Sequence, residues 1–406
     1  MINVDSTVHE SMEDGRFVYA TDAARLLGVR KETLYAYVSR GFLTRHGGAR
    51  SRGSFYLRSE IVRLKARHDA RSGHGPVAAT ALRWGEPVLD SAITGIDERG
   101  PRYRGVVAVD LALASVPFEN VCELLWKGAL AKDAAHFPAA PALVKPGARR
   151  ERDPFHAFSH LLVALRDEAR TPDTDSPAMT LDRARFAVAV LASFGKQSRG
   201  SIAERVAASL GIEKTKARLA AIDAALVLVA DHELNASSFA ARVAASTGAD
   251  LHACLLAALH TASGHRHGAA SVRVEALLAE VDQRGSVART LEDRLRLGDP
   301  IPGFGHPLYP GGDPRTAPLL TIAKRIAPGN RTVRSLLALA ARAASARGEL
   351  PNVDAALVAL ASALGAPSGS AQVLFVLGRV AGWVAHAVEQ RAAGFILRPR
   401  ARYVGP

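Results

Sequence analysis

The sequence has few of the residues that secure a fold through special chemistry. Its 406 residues include 2 cysteines, Cys122 and Cys254, and only 6% are aromatic. Two distant cysteines exclude a disulfide scaffold and leave no cysteine pair of the kind that binds zinc. Because aromatic rings are scarce, a core has to be built mainly from alanine, leucine and valine. The 48% hydrophobic content nevertheless excludes a disordered chain.

Long uninterrupted hydrophobic runs are also missing from the sequence. Asp231, His232 and Glu233 interrupt the most hydrophobic stretch, whereas a membrane-spanning helix needs about 18 consecutive apolar residues. Residues 1–15 are polar and acidic and contain no apolar core of a signal peptide. These observations predict a cytoplasmic protein without a membrane partner.

Basic residues outnumber acidic ones, and their distribution along the chain is uneven. The chain has 52 Lys+Arg against 39 Asp+Glu, a net charge of +13, and 9 of the basic residues are lysine. Residues 16–71 hold 13 basic and 4 acidic residues, a net charge of +9, while the chain after residue 72 carries +8. A dense basic segment is typical of nucleic-acid binding. The sequence therefore predicts a basic front segment followed by a long, mildly basic body.

Two short helices joined by a glycine turn are predicted in the basic segment. Residues 21–27 read as a helix with Thr21 or Asp22 at the N-cap, and a second helix over 30–40 follows the turn at Gly28. Apolar residues at 42–43 and 55–57 flank a tip rich in glycine and arginine, which predicts a hairpin wing. A further helix is expected over 59–71. Two helices joined in this way are typical of helix-turn-helix motifs.

Residues 17–71 resemble the winged helix-turn-helix of the MerR/excisionase class. The resemblance rests on Ala-Ala-x-Leu-Leu-Gly-Val from Ala23, on Thr33-Leu34-Tyr35, and on Arg40-Gly41-x-Leu43. It implies a helix in the major groove of DNA and a wing beside the backbone. The implied DNA-binding residues are Arg30, Thr33, Tyr35, Arg50 and Arg52. Small domains of this kind also serve as protein-docking modules, and the residues leave that alternative open.

The body that follows a polar linker at 71–76 is predicted to be almost entirely helical. Alanine, leucine and arginine recur there at helical spacing, and one strand is expected over 88–94. The predicted helices cover 118–130, 154–169, 181–194, 201–210, 215–230, 238–247, 251–263, 271–281, 317–326, 332–347, 353–364 and 372–393. The expected fold class is therefore mainly α.

Histidines in glycine-bordered loops are the strongest chemical signal in the body. Three loops stand out, those that contain His232, His267 and His306, of which the last two histidines lie next to glycine, and a fourth segment places Asp354 at the start of a helix. Loops between rigid elements are where catalytic groups tend to lie. His265 and His267 together suggest metal chelation, but no acidic loop accompanies them, so no metal site is predicted. Taken alone, Asp354 is equally well explained as an acid that interacts with the helix dipole.

Taken in order, these loops resemble the citrate synthase family over nearly all of residues 80–406. The matching segments are Tyr103-Arg104-Gly105, Phe118 to Gly128, Asp231 to Ser237, Ala245 to Leu251, Ser263 to Gly268, Pro302 to Arg315, Pro351 to Asp354 and Arg398 to Gly405. The resemblance implies a large helical domain over about 73–270 and 366–406 and a small one over about 271–365. The front domain would then occupy residues 1–72.

The resemblance implies an acyltransferase that condenses oxaloacetate with acetyl-CoA, or a related acyl-CoA, and water to give citrate and CoA, with no bound cofactor. Deprotonating the methyl group of a thioester needs a positioned base and stabilisation of the enol oxygen. The implied catalytic residues are Asp354 as base, His267 as donor to the thioester oxygen, and His306 as the group that polarises the ketone.

The resemblance also implies how the two substrates are held. The implied oxaloacetate ligands are His232, Arg315, Arg379 and Arg398, because arginine binds carboxylates through two parallel hydrogen bonds. The implied CoA-binding residues are Pro302, Gly303, Phe304 and Gly305. In the family, the arginine that corresponds to Arg398 reaches the active site of the partner subunit, so a homodimer is implied.

The sequence departs from the family pattern at several positions near these residues. Ser271 replaces an asparagine after the second histidine, and a charged residue, Arg266, directly precedes that histidine. Pro310 replaces a basic residue near the CoA phosphates. Ala355 replaces an aromatic residue, which predicts a larger acyl pocket. Two alternatives therefore stand beside citrate synthesis. One is 2-methylcitrate synthesis from propionyl-CoA, and the other is a metabolite-sensing DNA-binding regulator with weak or no catalysis.

Overall fold

The computed structural model describes residues 17–39, 42–46, 54–58, 60, 61, 64, 89–144, 153–169, 176–399, 403 and 405. These residues fall into two compact units, one that contains the described residues before Ser91 and a second over Ser91–Pro399. The predicted linker at 71–76 lies outside the described residues. The division of the body into a large and a small domain stays a prediction.

The first unit contains two short strands and two short helices. They are β1 (Phe17–Tyr19), α1 (Ala20–Leu27), α2 (Lys31–Ser39) and β2 (Phe55–Leu57). β1 and β2 pair antiparallel, with Phe17 opposite Leu57. α1 ends at Gly28, whose φ of 66° lies in the left-handed region that glycine adopts without steric cost. A small core consists of Ala23, Leu27, Leu34, Leu43, Tyr56 and Ile61.

Some details of this unit differ from the sequence prediction. The expectation of Thr21 or Asp22 as N-cap is wrong, because α1 begins one residue earlier, after Tyr19, with no side-chain cap. A backbone bond from Ala20 N to Ser54 O of 3.0 Å secures the first turn instead. The sequence predicted a hairpin between residues 42–43 and 55–57. In the structure, residues 55–57 form β2 and pair with β1, and the only contact of this kind with the preceding described segment is a single bridge between His46 and Phe55. The predicted wing tip with Arg50 and Arg52, and most of the helix predicted over 59–71, lie outside the described residues.

The second unit begins with a three-stranded antiparallel sheet. Its strands are β3 (Thr94–Asp97), β4 (Gly100–Tyr103) and β5 (Val106–Val107), in that order. The predicted strand over 88–94 is therefore wrong, since β3 only begins at Thr94. A strand requires a paired neighbour, and the two-residue turn between Asp97 and Gly100 sets which residues can pair.

Helices make up the rest of the second unit, which confirms the mainly α fold class. They are α3 (Ala108–Leu113), α4 (Phe118–Lys127), α5 (Pro154–Ala169), α6 (Pro177–Ala192), α7 (Ile202–Leu210), α8 (Lys216–Leu228), α9 (Ala236–Ser246), α10 (Leu251–Ala262), α11 (Ala270–Arg284), α12 (Val287–Leu297), α13 (Thr316–Ile326), α14 (Arg331–Arg347), α15 (Val353–Ala363) and α16 (Ser370–Ala393). α3 and α12 were not predicted. α3 is short, and α12 buries only Thr290 and Leu291, so neither has a strong apolar pattern.

Helix α16 lies at the centre of the second unit and packs against α4, α8, α9 and α10. Among the described residues, α16 is the one helix whose length and composition would allow it to cross a membrane. This finding corrects the expectation that the sequence has no such segment. However, 94% of its most apolar window is buried inside the protein, so packing in the core accounts for its composition. A Cβ on Gly382 would lie 2.6 Å from Ala230 O. This glycine therefore lets the helix approach the segment that follows α8.

Candidate active site

The loop after α8 carries His232 and is secured by hydrogen bonds to α16. Arg379 Nε donates to Val229 O at 2.8 Å, and Gly382 N donates to Ala230 O at 2.9 Å. At the end of the loop, Asn235 caps α9 by accepting hydrogen bonds from the first backbone amides of that helix. The position of His232 is therefore set by helices on both sides of the loop.

A buried carboxylate next to His232 was not identified from the sequence. Asp231 lies 3.3 Å from Nε2 of His386, and neither side chain is exposed. His386 Nδ1 in turn accepts a hydrogen bond of 3.0 Å from Arg242 Nε. Burial raises the pKa of Asp231, but its interaction with His386 and the charge of Arg379 outweigh burial and hold the pKa below its ordinary value. The sequence did offer one signal, because His386 is a polar residue within the apolar pattern of α16.

The second histidine, His267, is held by a serine at the start of α9. Its Nε2 lies 2.8 Å from Ser237 Oγ, which is also 2.7 Å from Asn235 Oδ1 and accepts a hydrogen bond of 3.0 Å from Trp383 Nε1. Burial, with a smaller effect of Arg379, lowers the pKa of His267 to about 4. His267 is therefore neutral at physiological pH. Ser237 and Trp383 are further residues that the sequence did not single out.

The third loop, with its Pro-Gly-Phe-Gly-His stretch, packs against the segment that leads into α15. Gly305 N donates to Leu350 O and Asn352 N donates to Gly303 O, both at 2.8 Å. Gly303 has a φ of 82°, and a Cβ at this position would lie 3.0 Å from the Cβ of Ala355. Glycine is therefore required here by both conformation and space. Ala355 is fully buried beneath this loop, and the larger acyl pocket stays a prediction.

Asp313 and Arg315 form a buried ion pair that links the third loop to α15. Arg315 Nε and Nη2 donate to the two oxygens of Asp313 at 2.9 and 2.8 Å. Asp313 Oδ2 also accepts a hydrogen bond of 3.1 Å from the backbone of Val353, the first residue of α15. Burial opposes the charge of Arg315, but Asp313 outweighs this effect and the pKa of Arg315 is raised. The ion pair thus places the residue after Val353, which is Asp354.

Asp354 is a carboxylic acid in the field of two arginines. Burial raises the pKa of its side chain to about 6, although Arg315 and Arg379 act in the opposite direction. A pKa near the working pH suits a general base, which must be ionised but still basic enough to accept a proton. The side chain is therefore poised for proton transfer.

Arg379 lies buried in the middle of α16. Its guanidinium carbon lies 5.0 Å from the centroid of the Phe375 ring, and its Nε donates to Val229 O. Among the described residues, no acidic side chain forms an ion pair with it. Burial lowers the pKa of Arg379, which shows that its positive charge is only partly compensated by the protein.

Tyr309 joins the first and third loops and was not selected from the sequence. Its hydroxyl lies 2.8 Å from His232 Nε2, and its ring centroid lies 4.8 Å from that of His306. Burial, together with Arg315, lowers the pKa of both histidines. No pattern in the sequence distinguishes this tyrosine, because its importance follows from a contact 77 residues away along the chain.

Six of the seven catalytic and oxo-acid residues singled out from the sequence come together in the structure. We call this group the polar cluster, and it consists of His232, His267, His306, Arg315, Asp354 and Arg379. The pKa of His232 responds to Arg315, Arg379, His306 and His267, and that of Asp354 to both arginines. Arg398 is exposed on the segment after α16 and contacts none of the cluster within the described residues. The cluster thus combines neutral histidines, a weak acid and two cations.

A large open hollow on another part of the second unit holds none of these residues. It has a volume of about 890 Å³ and lies between α4, the segment 129–138 and α6. Its principal charges are already paired, since Arg185 contacts both Glu123 and Asp182, and Lys127 contacts Glu123. Chemistry therefore points to the polar cluster and not to the hollow.

Comparison with known proteins agrees with this fold. A family model described as "Citrate synthase, C-terminal domain" matches residues 81–400. The chain is 30% identical to a 2-methylcitrate synthase of Mycobacterium tuberculosis, with 75% of this chain and 84% of that protein covered. It is also 30% identical to a citrate synthase of Haloferax volcanii, with 78% and 93% covered.

A solved structure shows the same fold. It is a citrate synthase of Thermoplasma acidophilum in a ternary complex with carboxymethyl coenzyme A and oxaloacetate, and it superposes with a TM-score of 0.70. It is 24% identical and covers 81% of this chain and 96% of its own. The chain therefore belongs to the citrate synthase family. It is an acyltransferase, and the resemblance noted from its sequence motifs is confirmed for the second unit.

Proposed function

We propose that this protein condenses oxaloacetate with an acyl-CoA and water to give a tricarboxylic acid and free CoA. The observation that carries the proposal is the convergence of Asp354, three histidines with lowered pKa values and two buried arginines in the polar cluster. Such a set supplies a base, hydrogen-bond donors and cations, which are the groups that the reaction needs. The reaction requires no cofactor beyond the CoA substrate.

The two arginines bind the carboxylates of oxaloacetate. Arg379 contributes most of the attraction, because its charge has no carboxylate partner within the described part of the chain. Arg315 contributes a donor whose orientation is fixed by Asp313. His232 completes the oxo-acid site as a neutral hydrogen-bond donor, and Arg398 of a second subunit closes it.

Asp354 removes a proton from the carbon next to the thioester while His267 stabilises the enol oxygen. For His267 to donate to that oxygen through Nδ1, its Nε2 must accept a hydrogen bond from Ser237. The single hydroxyl proton of Ser237 lies within reach of both Asn235 Oδ1, at 2.7 Å, and His267 Nε2, at 2.8 Å, and the proposed step requires it on His267. The negative charge that develops on the oxygen is then met by a fixed donor in a site with little water.

The enol carbon attacks the ketone carbon of oxaloacetate and forms the new carbon–carbon bond. His306 donates to the ketone oxygen and transfers the proton that the resulting alkoxide needs. Water then cleaves the thioester, so that one acyl-CoA, one oxaloacetate and one water give the tricarboxylic acid and CoA. Pro302, Gly303, Phe304 and Gly305 contact CoA, and the glycines leave backbone atoms accessible to the ligand.

The test is oxaloacetate-dependent release of free thiol from acetyl-CoA and, separately, from propionyl-CoA. Release with either substrate, lost in Asp354→Asn, supports the proposal, and the ratio of the two kcat/KM values decides between citrate and 2-methylcitrate synthesis. A buried Ala355 beneath Gly303 gives no preference between the two acyl groups. Absence of release with both substrates would exclude the proposed reaction.

We also propose that the working form is a cytoplasmic homodimer. Arg398 is exposed in the single chain and lies beyond α16, which suits a residue that acts in the neighbouring subunit. Two free, buried cysteines are compatible with a reducing compartment. If Arg398 acts in trans, an equal mixture of inactive Arg398→Ala and inactive Asp354→Asn subunits will regain about a quarter of the wild-type activity, because about half of the dimers are mixed and each mixed dimer has one intact site out of two. Two variants that show no complementation would contradict a shared site.

As a second function, we propose that residues 17–71 bind DNA as a winged helix-turn-helix. Within the described part of the first unit, two helices flank Gly28 with Leu34 buried and Tyr35 49% exposed. Arg30 directly precedes the second helix, and Thr33 and Tyr35 lie in its first half, where such motifs contact bases. Arg50 and Arg52 would then contact the backbone from the wing.

DNA binding is tested with fragments of the gene's own upstream region at several salt concentrations. Arg30→Ala with Tyr35→Ala should weaken binding to a preferred fragment, and Arg50→Ala with Arg52→Ala should weaken all fragments and reduce the salt dependence. Thiol release should be unchanged in both variants. Identical binding by the wild-type chain and both double variants would favour the protein-docking alternative.

A further inference from the structure

Tyr309 contacts three members of the polar cluster, yet the steps proposed above give it no part. Its hydroxyl lies 2.8 Å from His232 Nε2, its ring centroid lies 4.8 Å from that of His306, and the guanidinium carbon of Arg315 lies 5.7 Å from the ring centroid. The side chain is 6% exposed. Packing accounts for the ring contacts, whereas the hydroxyl makes one directed hydrogen bond, to the histidine that is assigned above to the oxo-acid site.

The direction of this hydrogen bond follows from counting protons. Burial and the nearby cations Arg315 and Arg379 keep His232 neutral, so its ring has one N–H and one free lone pair. If Nε2 carried the proton, the Tyr309 oxygen would accept it and the tyrosine's own proton would have no acceptor among the described residues. A buried donor without an acceptor is unfavourable. The arrangement in which Tyr309 donates to Nε2 satisfies both groups.

We propose that Tyr309 is a positioning residue, which donates to Nε2 of His232 and thereby holds the proton of that histidine on Nδ1. The Nδ1–H group is then the donor that His232 presents to an oxygen of the 2-oxo acid. The last step rests on the proposed function, whereas the assignment of the proton does not. Because Tyr309 belongs to the third loop and His232 to the first, the hydrogen bond also ties the oxo-acid donor to the loop that carries His306.

The variant that tests the proposal is Tyr309→Phe, which removes the hydroxyl and keeps the ring beside His306 and Arg315. With both nitrogen positions of His232 then open to the proton, we expect the KM for oxaloacetate to rise about threefold to tenfold, the effect of one hydrogen bond. The kcat, the KM for acyl-CoA and the thermal midpoint should change little. An unchanged KM for oxaloacetate would overturn the proposal.

A double-mutant cycle separates positioning from a general structural effect. His232→Asn keeps an N–H donor near the place of Nδ1 but has no atom equivalent to Nε2. In that background Tyr309→Phe should have no further effect on the KM for oxaloacetate. A rise of equal size in both backgrounds would overturn the proposal, because the hydroxyl would then act without His232.

Two measurements do not depend on turnover. Nitrogen NMR of the substrate-free full chain, labelled at histidine and assigned with His232→Asn, should show His232 protonated at Nδ1 and a shift towards Nε2 in Tyr309→Phe. Calorimetric titration with oxaloacetate should show the same threefold to tenfold loss of affinity. A wild-type signal from Nε2–H would overturn the proposal even in an active enzyme. An Nδ1–H signal in a protein without turnover would instead overturn the proposed reaction.

Discussion

The third loop and the middle of α16 each bury an arginine, and the two arginines are held in different ways. Arg315 and Arg379 are both 2% exposed. Arg315 forms two hydrogen bonds to the carboxylate of Asp313, and its pKa is raised. Arg379 is held by a backbone carbonyl and an aromatic ring, and its pKa is lowered.

This difference separates a cation whose charge the protein already compensates from one whose charge is left for a ligand to compensate. A buried charge is costly unless a partner and hydrogen bonds compensate it. Asp313 compensates Arg315 in the absence of substrate, and the same carboxylate anchors the start of α15. Arg379 has no such partner within the described residues, so a dianionic substrate would supply what the fold does not.

The largest expected effect is on the acid that lies in the field of both arginines. Asp354→Asn should reduce kcat about 10²- to 10⁴-fold, the usual contribution of a general base, because the amide cannot accept the proton. Thiol release measured with saturating substrates gives the number. Asp299→Asn changes an exposed acid and serves as the matched control. A loss of less than threefold in Asp354→Asn would contradict its assignment as base.

The next largest expected effect is on oxaloacetate binding, to which Arg379 contributes most. Arg379→Leu should raise the KM for oxaloacetate about 100-fold, since removal of one partner from a buried charge interaction costs about 2–5 kcal/mol. The KM for acyl-CoA should change much less. Steady-state kinetics with each substrate varied in turn would show this, and an equal rise in both KM values would refute the assignment of Arg379 to the oxo acid.

For the free energy of unfolding we expect the reverse order, with Arg315 more important than Arg379. Arg315→Leu leaves Asp313 as an uncompensated buried charge and should reduce the free energy of unfolding by about 3–5 kcal/mol. Arg379→Leu removes an uncompensated charge and should change it by about 1 kcal/mol or less, in either direction. Urea unfolding of the substrate-free chain measures both. The double variant Asp313→Leu with Arg315→Leu should recover part of the loss, and equal losses for the two single variants would invalidate the comparison.

The smallest expected effect concerns pH and the cost of keeping Asp354 buried. Its pKa is about 6 in the folded protein against 3.8 for the free side chain, so the kcat/KM of the wild-type enzyme should rise with pH through about 6. The same raised pKa means that stability is fully present below pH about 4 and is lost as the pH rises through about 6. Asp354→Asn should therefore be about 1–3 kcal/mol more stable than wild type at pH 8 and equally stable near pH 4. A stability difference that does not vary with pH would show that the pKa of Asp354 is the same in the folded and the unfolded protein.

The candidate site was predictable as far as its residues lie in loops with a recognisable local pattern. His267 and His306 stand beside glycine, Asp354 stands at a helix start, and His232 lies in the polar loop between two helices, and the structure places them together. Tyr309 and His386 carry no such local signal. Their significance follows from contacts such as that of His386 with Asp231, 155 residues away along the chain.

Local patterns also limited what the sequence could predict about the secondary structure. α5 was predicted with its observed ends, because apolar residues recur at helical spacing over the whole segment. α12 was missed because charged residues are frequent in it and only Thr290 and Leu291 are buried. The strand expected over 88–94 was misplaced because a strand is defined by its partner, and β3 pairs with β4 across a turn that begins after Asp97.

The sequence by itself determined that the body is a helical member of the citrate synthase family, with an acid, three histidines and a surplus of arginine in its loops. Those properties depend on residue type, spacing and order, which folding does not change. Only the tertiary structure decided which arginine receives a carboxylate partner and which hydroxyl faces His232. Such assignments depend on distances of about 3 Å between residues remote in the chain, and burial then sets the charge and proton position of each group.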